Sequence, residues 1–165
     1  MTILKKSLLL LPLLFLLSAC SGNPESIDNM TNIDSNGYIS IEKNNIDLND
    51  IPILGGKVNI DYTFTNKGTE PVALFQGTTS CMCTEAVVES SQGVKSPRIT
   101  MAGHGAIAKI NQVLKPGETS TLIAVYDPMA HGPGGIGVIK RDVFIKTNSI
   151  KTPEIRFSFQ GTVVK

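Results

Sequence analysis

The chain has 165 residues, a formal net charge of +1 and 41% hydrophobic residues, which suffices for one domain with its own core. Near-neutral charge without a Lys/Arg cluster excludes the electrostatic footprint of a nucleic-acid binder. With 15 Gly and 9 Pro, usage is ordinary and a low-complexity chain is excluded.

Residues 1–19 are expected to be a signal peptide rather than part of the fold. Lys5 and Lys6 form a positive start, and Leu8 to Leu17 is apolar apart from Pro12. That run is shorter than the about 20 residues a spanning helix needs. It ends in Leu17-Ser18-Ala19-Cys20, which resembles the bacterial lipobox. The resemblance implies cleavage before Cys20 and acyl chains, palmitate among them, on the new terminus. Several chains anchor stably where one binds marginally. The expected place is therefore the cell envelope, tethered to a bacterial membrane and facing the periplasm if that membrane is an outer one. Residues 20–37, polar and rich in Asn, Ser and Asp, read as a flexible tether reaching on the order of 20–25 Å.

Residues 38–165 carry a period of two. Val58 to Thr65 alternates Val58, Ile60, Tyr62 and Phe64 against polar partners, which predicts a strand with one buried face. Asn66 to Pro71 is a turn, and Val72 to Gln76 a second strand. The next stretch, Thr79-Ser80-Cys81-Met82-Cys83-Thr84, holds the two thiols left after cleavage. In a strand, Cys81 and Cys83 would share a face. Their Cα atoms would then lie roughly 6.5–7 Å apart, at the upper limit for a disulfide, so a relaxed bridge needs a bend.

Cys83 to Val88 reads as a further strand, and Ser90 to Gly105 as an irregular segment of the long kind that is usually functional or disordered. Ile107 to Leu114 fits a short strand or a helical turn. Lys115 to Glu118 is a turn, Thr119 to Tyr126 a central strand, and Asp127 to Gly137 a glycine-rich loop. Val138 to Thr147 is a long strand, Asn148 to Pro153 a turn, and Ile155 to Phe159 alternates cleanly. About seven strands without a convincing helix predict an all-β, immunoglobulin-like antiparallel β-sandwich.

The run from Tyr62 to Val72, then Thr79 to Thr84, Leu114 to Thr119 and Val125 to Pro128, resembles an uncharacterised bacterial family of secreted and lipid-anchored Ig-like domains. That family is a numbered domain of unknown function akin to Hydin-type modules, and the likeness spans Lys57 to Val164. It implies the fold and leaves the function open, since one fold hosts many functions. Members commonly read Cys-Gly-Cys, from which Met82 departs.

Two soft thiolates with a thioether between them favour Cu(I) or Zn(II). The two histidines of the chain, His104 and His131, each follow a methionine closely in a glycine-rich stretch, Met101 to Gly105 and Met129 to Gly132. Cys81, Cys83, His104 and His131 therefore make up a tetrahedral ligand count, with Met101 as an extra donor. Two other readings stand beside this one. The cysteines are packed strand residues with the histidines decorating loops, or they are a redox pair. No G-x-S-x-G elbow or paired-carboxylate pattern accompanies His131-Gly132-Pro133-Gly134-Gly135, so no enzyme is expected. A non-catalytic adhesion or scaffolding module that holds an envelope protein partner is the alternative function.

Overall fold

A computed structural model of the chain describes Met30 and residues 32–165; the expected signal peptide, Cys20 and most of the 20–37 tether lie outside the described residues. Nine strands form two sheets: β1 (Ile39–Ile41), β2 (Asn45–Pro52), β3 (Val58–Asn66), β4 (Val72–Thr79), β5 (Thr84–Ser90), β6 (Ala108–Leu114), β7 (Thr119–Tyr126), β8 (Gly137–Thr147) and β9 (Glu154–Val164). The four-stranded sheet runs β1-β3-β7-β5 and the five-stranded sheet β2-β9-β8-β4-β6. The β-sandwich expected from the sequence is met.

Two details correct it. Among the described residues the strands number nine rather than about seven, and the sheets are not wholly antiparallel, because β2 runs parallel to β9. Both uncounted strands, β1 and β2, are edge strands. β2 is also interrupted: Asn49 adopts a positive φ of 54° and the register with β9 shifts between Asp47 and Asp50. Such a bulge breaks the alternation that a period-two reading depends on.

The core lies between the sheets. Tyr62 and Phe64 from β3, Leu122 and Tyr126 from β7, and Phe157 and Phe159 from β9 are all essentially inaccessible. Each such side chain contributes roughly 1.5–3 kcal/mol by leaving water. Phe157 packs at a tilt against both Tyr62 (5.3 Å between centroids) and Phe64 (5.4 Å). The Tyr62 hydroxyl donates to the Ser158 carbonyl at 2.6 Å, so its polar tip is satisfied across the two sheets.

The packed chain begins before Tyr38. Ser35, read from sequence as tether, is buried, and its N–H donates to Asn148 O at 2.9 Å while its hydroxyl reaches Pro71 O at 2.7 Å.

The irregular segment after β5 acts as a strap. It returns along β5, with Lys95 opposite Glu89 and Ile99 opposite Ala86, and then reaches the end of β4, where Met101 bridges Thr79. Ile99 is fully buried against Gly77, whose missing side chain makes room: a Cβ there would stand 2.8 Å from Ile99 Cδ1.

Candidate metal centre

Two sheet-to-sheet crossings meet at one end of the sandwich. The first joins β4 to β5 through Ser80–Cys83, and the second joins β7 to β8 through residues 127–136. Thr84 at the start of β5 pairs with Tyr126 at the end of β7, so the two crossings are neighbours by register. The Asp127 N–H carries that ladder one step further by donating to Cys83 O at 2.9 Å.

The Cys-x-Cys segment is not a strand. It is a turn in which the Thr84 N–H donates to Cys81 O at 3.1 Å. The buried Thr79 hydroxyl lies 3.0 Å from both Cys81 O and Thr84 O and ties the turn closed from inside. This bend, rather than a shared strand face, brings the sulfurs together. The Cys83 N–H points back at Cys81 Sγ at 3.4 Å.

His131 is set by a compact loop. Asp127 Oδ1 accepts from the Met129 N–H at 2.9 Å, and the Gly132 N–H donates to Met129 O at 2.8 Å. Gly132 takes a φ of 63°, which costs glycine little. A single 3₁₀ turn, Gly132–Gly135, follows and leads into β8. His131 Nε2 then lies 3.3 Å from Cys81 Sγ.

Cys81 Sγ, Cys83 Sγ and a His131 ring nitrogen all lie within 4.8 Å of one another, a set able to hold a metal ion. With metal–sulfur and metal–nitrogen bonds of about 2.3 and 2.0 Å, a bound ion would set sulfur and nitrogen about 3.5 Å apart. The 3.3 Å Cys81–His131 separation is close to that edge. Cys83 is buried, Cys81 half-buried and His131 exposed, so the cluster opens to solvent on the histidine side.

The remaining residues singled out by sequence are placed differently. His104 does not join the cluster: it is exposed, in a turn of the strap where its N–H donates to Met101 O at 3.1 Å. Met101 is half-buried and pairs through its backbone with Thr79, beside the Cys turn. Met82 and Met129 are both exposed, 51% and 42%, which leaves their thioethers free to solvent on the segments that carry the donors.

Sequence reasoning missed Arg141. Its Nε–H donates to Cys83 Sγ at 3.1 Å, while its Nη1 donates to Lys140 O at 2.8 Å. In β8 it occupies the parity of Ile139, Val143 and Ile145, all buried. A charged residue in the apolar register of a strand was the signal that would have found it.

The electrostatics split the two thiols. Burial pushes the Cys81 thiol up, but the Cys83 thiol and N–H, the His131 ring and the Arg141 charge outweigh it and bring it down from 9.0 to about 7. The Cys83 thiol is raised, first by burial and then by its hydrogen bond to Cys81, with Arg141 and Thr84 opposing. Cys81 is thus the more acidic thiol of the pair, and Cys83 the less acidic.

Fold and cluster together define a β-sandwich domain with a dithiol–imidazole set at one end. The family described as "Protein of unknown function (DUF1573)" matches residues 39–97, a stretch that runs from β1 into the strap and includes Cys81 and Cys83 but neither His131 nor Arg141. Over those residues the expected resemblance to a numbered domain of unknown function is met; the match does not extend over the rest of the Lys57 to Val164 span and does not carry the Hydin-type kinship.

Among solved structures, a protein of unknown function from Porphyromonas gingivalis W83 is similar at 18% identity and a TM-score of 0.57, covering 81% of this chain and 51% of its own. The chain therefore spans about half the length of that protein. The ASH/PapD-like domain 7 of human CEP192 aligns at 15% identity and a TM-score of 0.44, covering 99% of both chains. Secreted serine protease VesC from Vibrio cholerae aligns at 14% identity and a TM-score of 0.48, covering 84% of this chain and 25% of its own. At these identities the likeness concerns the fold alone. No curated protein matches the chain.

Proposed function

We propose that this is a lipid-anchored envelope protein whose β-sandwich binds one soft metal ion, copper(I) or zinc(II), through Cys81, Cys83 and His131. The observation that carries this reading is the convergence of three donors from two separate crossings within 4.8 Å. Sequence separation makes such a meeting a property of the fold, not of chain proximity. Soft thiolates and an imidazole suit soft or borderline ions. Coordination also accounts for two unbridged thiols in an oxidising compartment, since a metal-bound thiolate is held away from disulfide chemistry.

A non-catalytic role is part of the proposal. The hollow beside Cys83 encloses about 70 Å³, well below the roughly 300–1,000 Å³ of small-molecule sites. The Cys81–His131 pair has the parts of an activated nucleophile, yet the hollow that reaches Cys83 is too small for a substrate of ordinary size.

Metal competition titrations on the reduced protein test the reading. Wild type should bind one Cu(I) or Zn(II) per chain, and Cys81→Ser and Cys83→Ser should each lose most of the affinity. Stoichiometry well below one ion per chain would end it. The anchor is tested separately: Cys20→Ala should release the protein to the soluble fraction or leave it unprocessed.

A second reading is favoured by the bend at Cys81–Cys83, which removes the geometric objection to a disulfide that an extended strand raised. On that reading the protein isolated in air carries no free thiols and no metal, and reductant restores two thiols.

A further inference from the structure

The geometry points to Arg141 as the residue that makes the site prefer a monovalent soft ion, copper(I), to divalent zinc. This rests on the metal-site reading and deepens it. Arg141 presses a guanidinium N–H onto Cys83 Sγ at 3.1 Å from an inward position of β8. Among the described residues it has no carboxylate in ion-pair range, so the Cys83 sulfur, once an ion has displaced its proton, is the negative group it faces. Its second contact, to Lys140 O, fixes the guanidinium without neutralising it.

The charge accounting is short. Two thiolates and a neutral imidazole carry two negative charges; copper(I) leaves one of them uncompensated, and zinc(II) leaves none. With Arg141 beside the sulfur, the copper site is neutral and the zinc site is left with an excess positive charge. The thiols release the same protons for either ion, so proton release cancels from the ratio of the two affinities. What remains is the interaction of Arg141 with one extra unit charge on the ion. A sulfur keeps lone pairs for an N–H donor after binding a metal, so the Arg141 hydrogen bond and coordination are compatible.

Ligand number points the same way. Three donors complete the two- or three-coordinate shell of copper(I), whereas structural zinc takes four. Glu85, Asp127 and Lys57 line the hollow beside Cys83 and carry charge there as well. None of them touches a sulfur, and they are constant across the variants below.

The test is competition titration of Cu(I) and Zn(II) on anaerobically reduced full-length wild type, Arg141→Gln, Arg141→Met and Arg141→Lys. The ratio of copper to zinc affinity should fall about five- to a hundredfold in the Gln and Met variants, as expected for a half-exposed charge a few ångströms from the ion. Arg141→Lys keeps the charge and should hold the ratio within about threefold of wild type. A ratio unchanged in both neutral variants overturns the role of Arg141 while leaving the metal site intact. An equal fall in Arg141→Lys assigns the effect to the lost N–H···S geometry and overturns the charge argument. Wild type that binds neither ion overturns the site itself. Because Gln and Met replace the stem differently, failure of one variant to fold leaves the other to decide.

Discussion

His131 Nε2 stands 3.3 Å from Cys81 Sγ although the two residues lie fifty positions apart and on different crossings between the sheets. The contact follows from register: Thr84 pairs with Tyr126, so whatever precedes one strand and follows the other must meet. His104, the other histidine, is carried by the strap and stays outside the cluster.

The two histidines should therefore separate by experiment. His131→Ala is expected to weaken metal binding at least about tenfold and to raise the Cys81 thiol, which loses its imidazole partner. His104→Ala should leave both within about twofold. Affinity measured by chelator competition decides this, and an equal loss in His104→Ala would bring the strap's turn into the site.

The metal-free, reduced protein should ionise its thiols in two steps. Cys81 deprotonates near pH 7, because burial is outweighed by its hydrogen bonds and by Arg141, and Cys83 follows above its ordinary value of 9.0. Cys81 has a folded value below its unfolded one, so its stabilising contribution is complete above about pH 9 and is lost as pH falls through about 7. Cys83 has the opposite sign: its contribution is complete below pH 9.0 and is lost as pH rises through its raised value. Thiolate absorbance against pH follows the two steps, and Cys81→Ser should abolish the one near 7. A single transition at the ordinary thiol value in wild type would contradict this electrostatic account.

The strap depends on Gly77. A Cβ at that position would stand 2.8 Å from two carbons of the fully buried Ile99. Gly77→Ala should therefore cost about 1–3 kcal/mol, the usual cost of overpacking, read from the shift of a urea unfolding midpoint. Relief by Ile99→Val in the same chain would localise the strain. A midpoint unmoved by Gly77→Ala would mean that the strap is not packed there.

Much of the sandwich was legible because period-two alternation survives wherever a strand has one buried face, as in Val58–Asn66 and Glu154–Val164. It failed at β1, which is three residues long, and at β2, where a bulge and a left-handed Asn49 break the pattern. The site was legible in part. Cys81, Cys83 and His131 stood out by rarity, since two thiols and two histidines are all that the sequence offers after Cys20. The strand reading of Cys81-Met82-Cys83 nevertheless mistook how they converge. The turn is stabilised by the Thr79 hydroxyl, a contact that no local pattern encodes. Rarity also promoted His104, for which no structural reason existed. Arg141 stands between Lys140 and Asp142, so its place on the buried parity of β8 shows only when the charges of that strand are divided between its two faces.

Elemental analysis of the protein purified anaerobically from its native cells tests the central claim most directly. The account predicts one soft metal ion per chain, bound in wild type and absent from Cys81→Ser and Cys83→Ser prepared in the same way. Wild-type protein that retains both thiols reduced and carries no metal would contradict it.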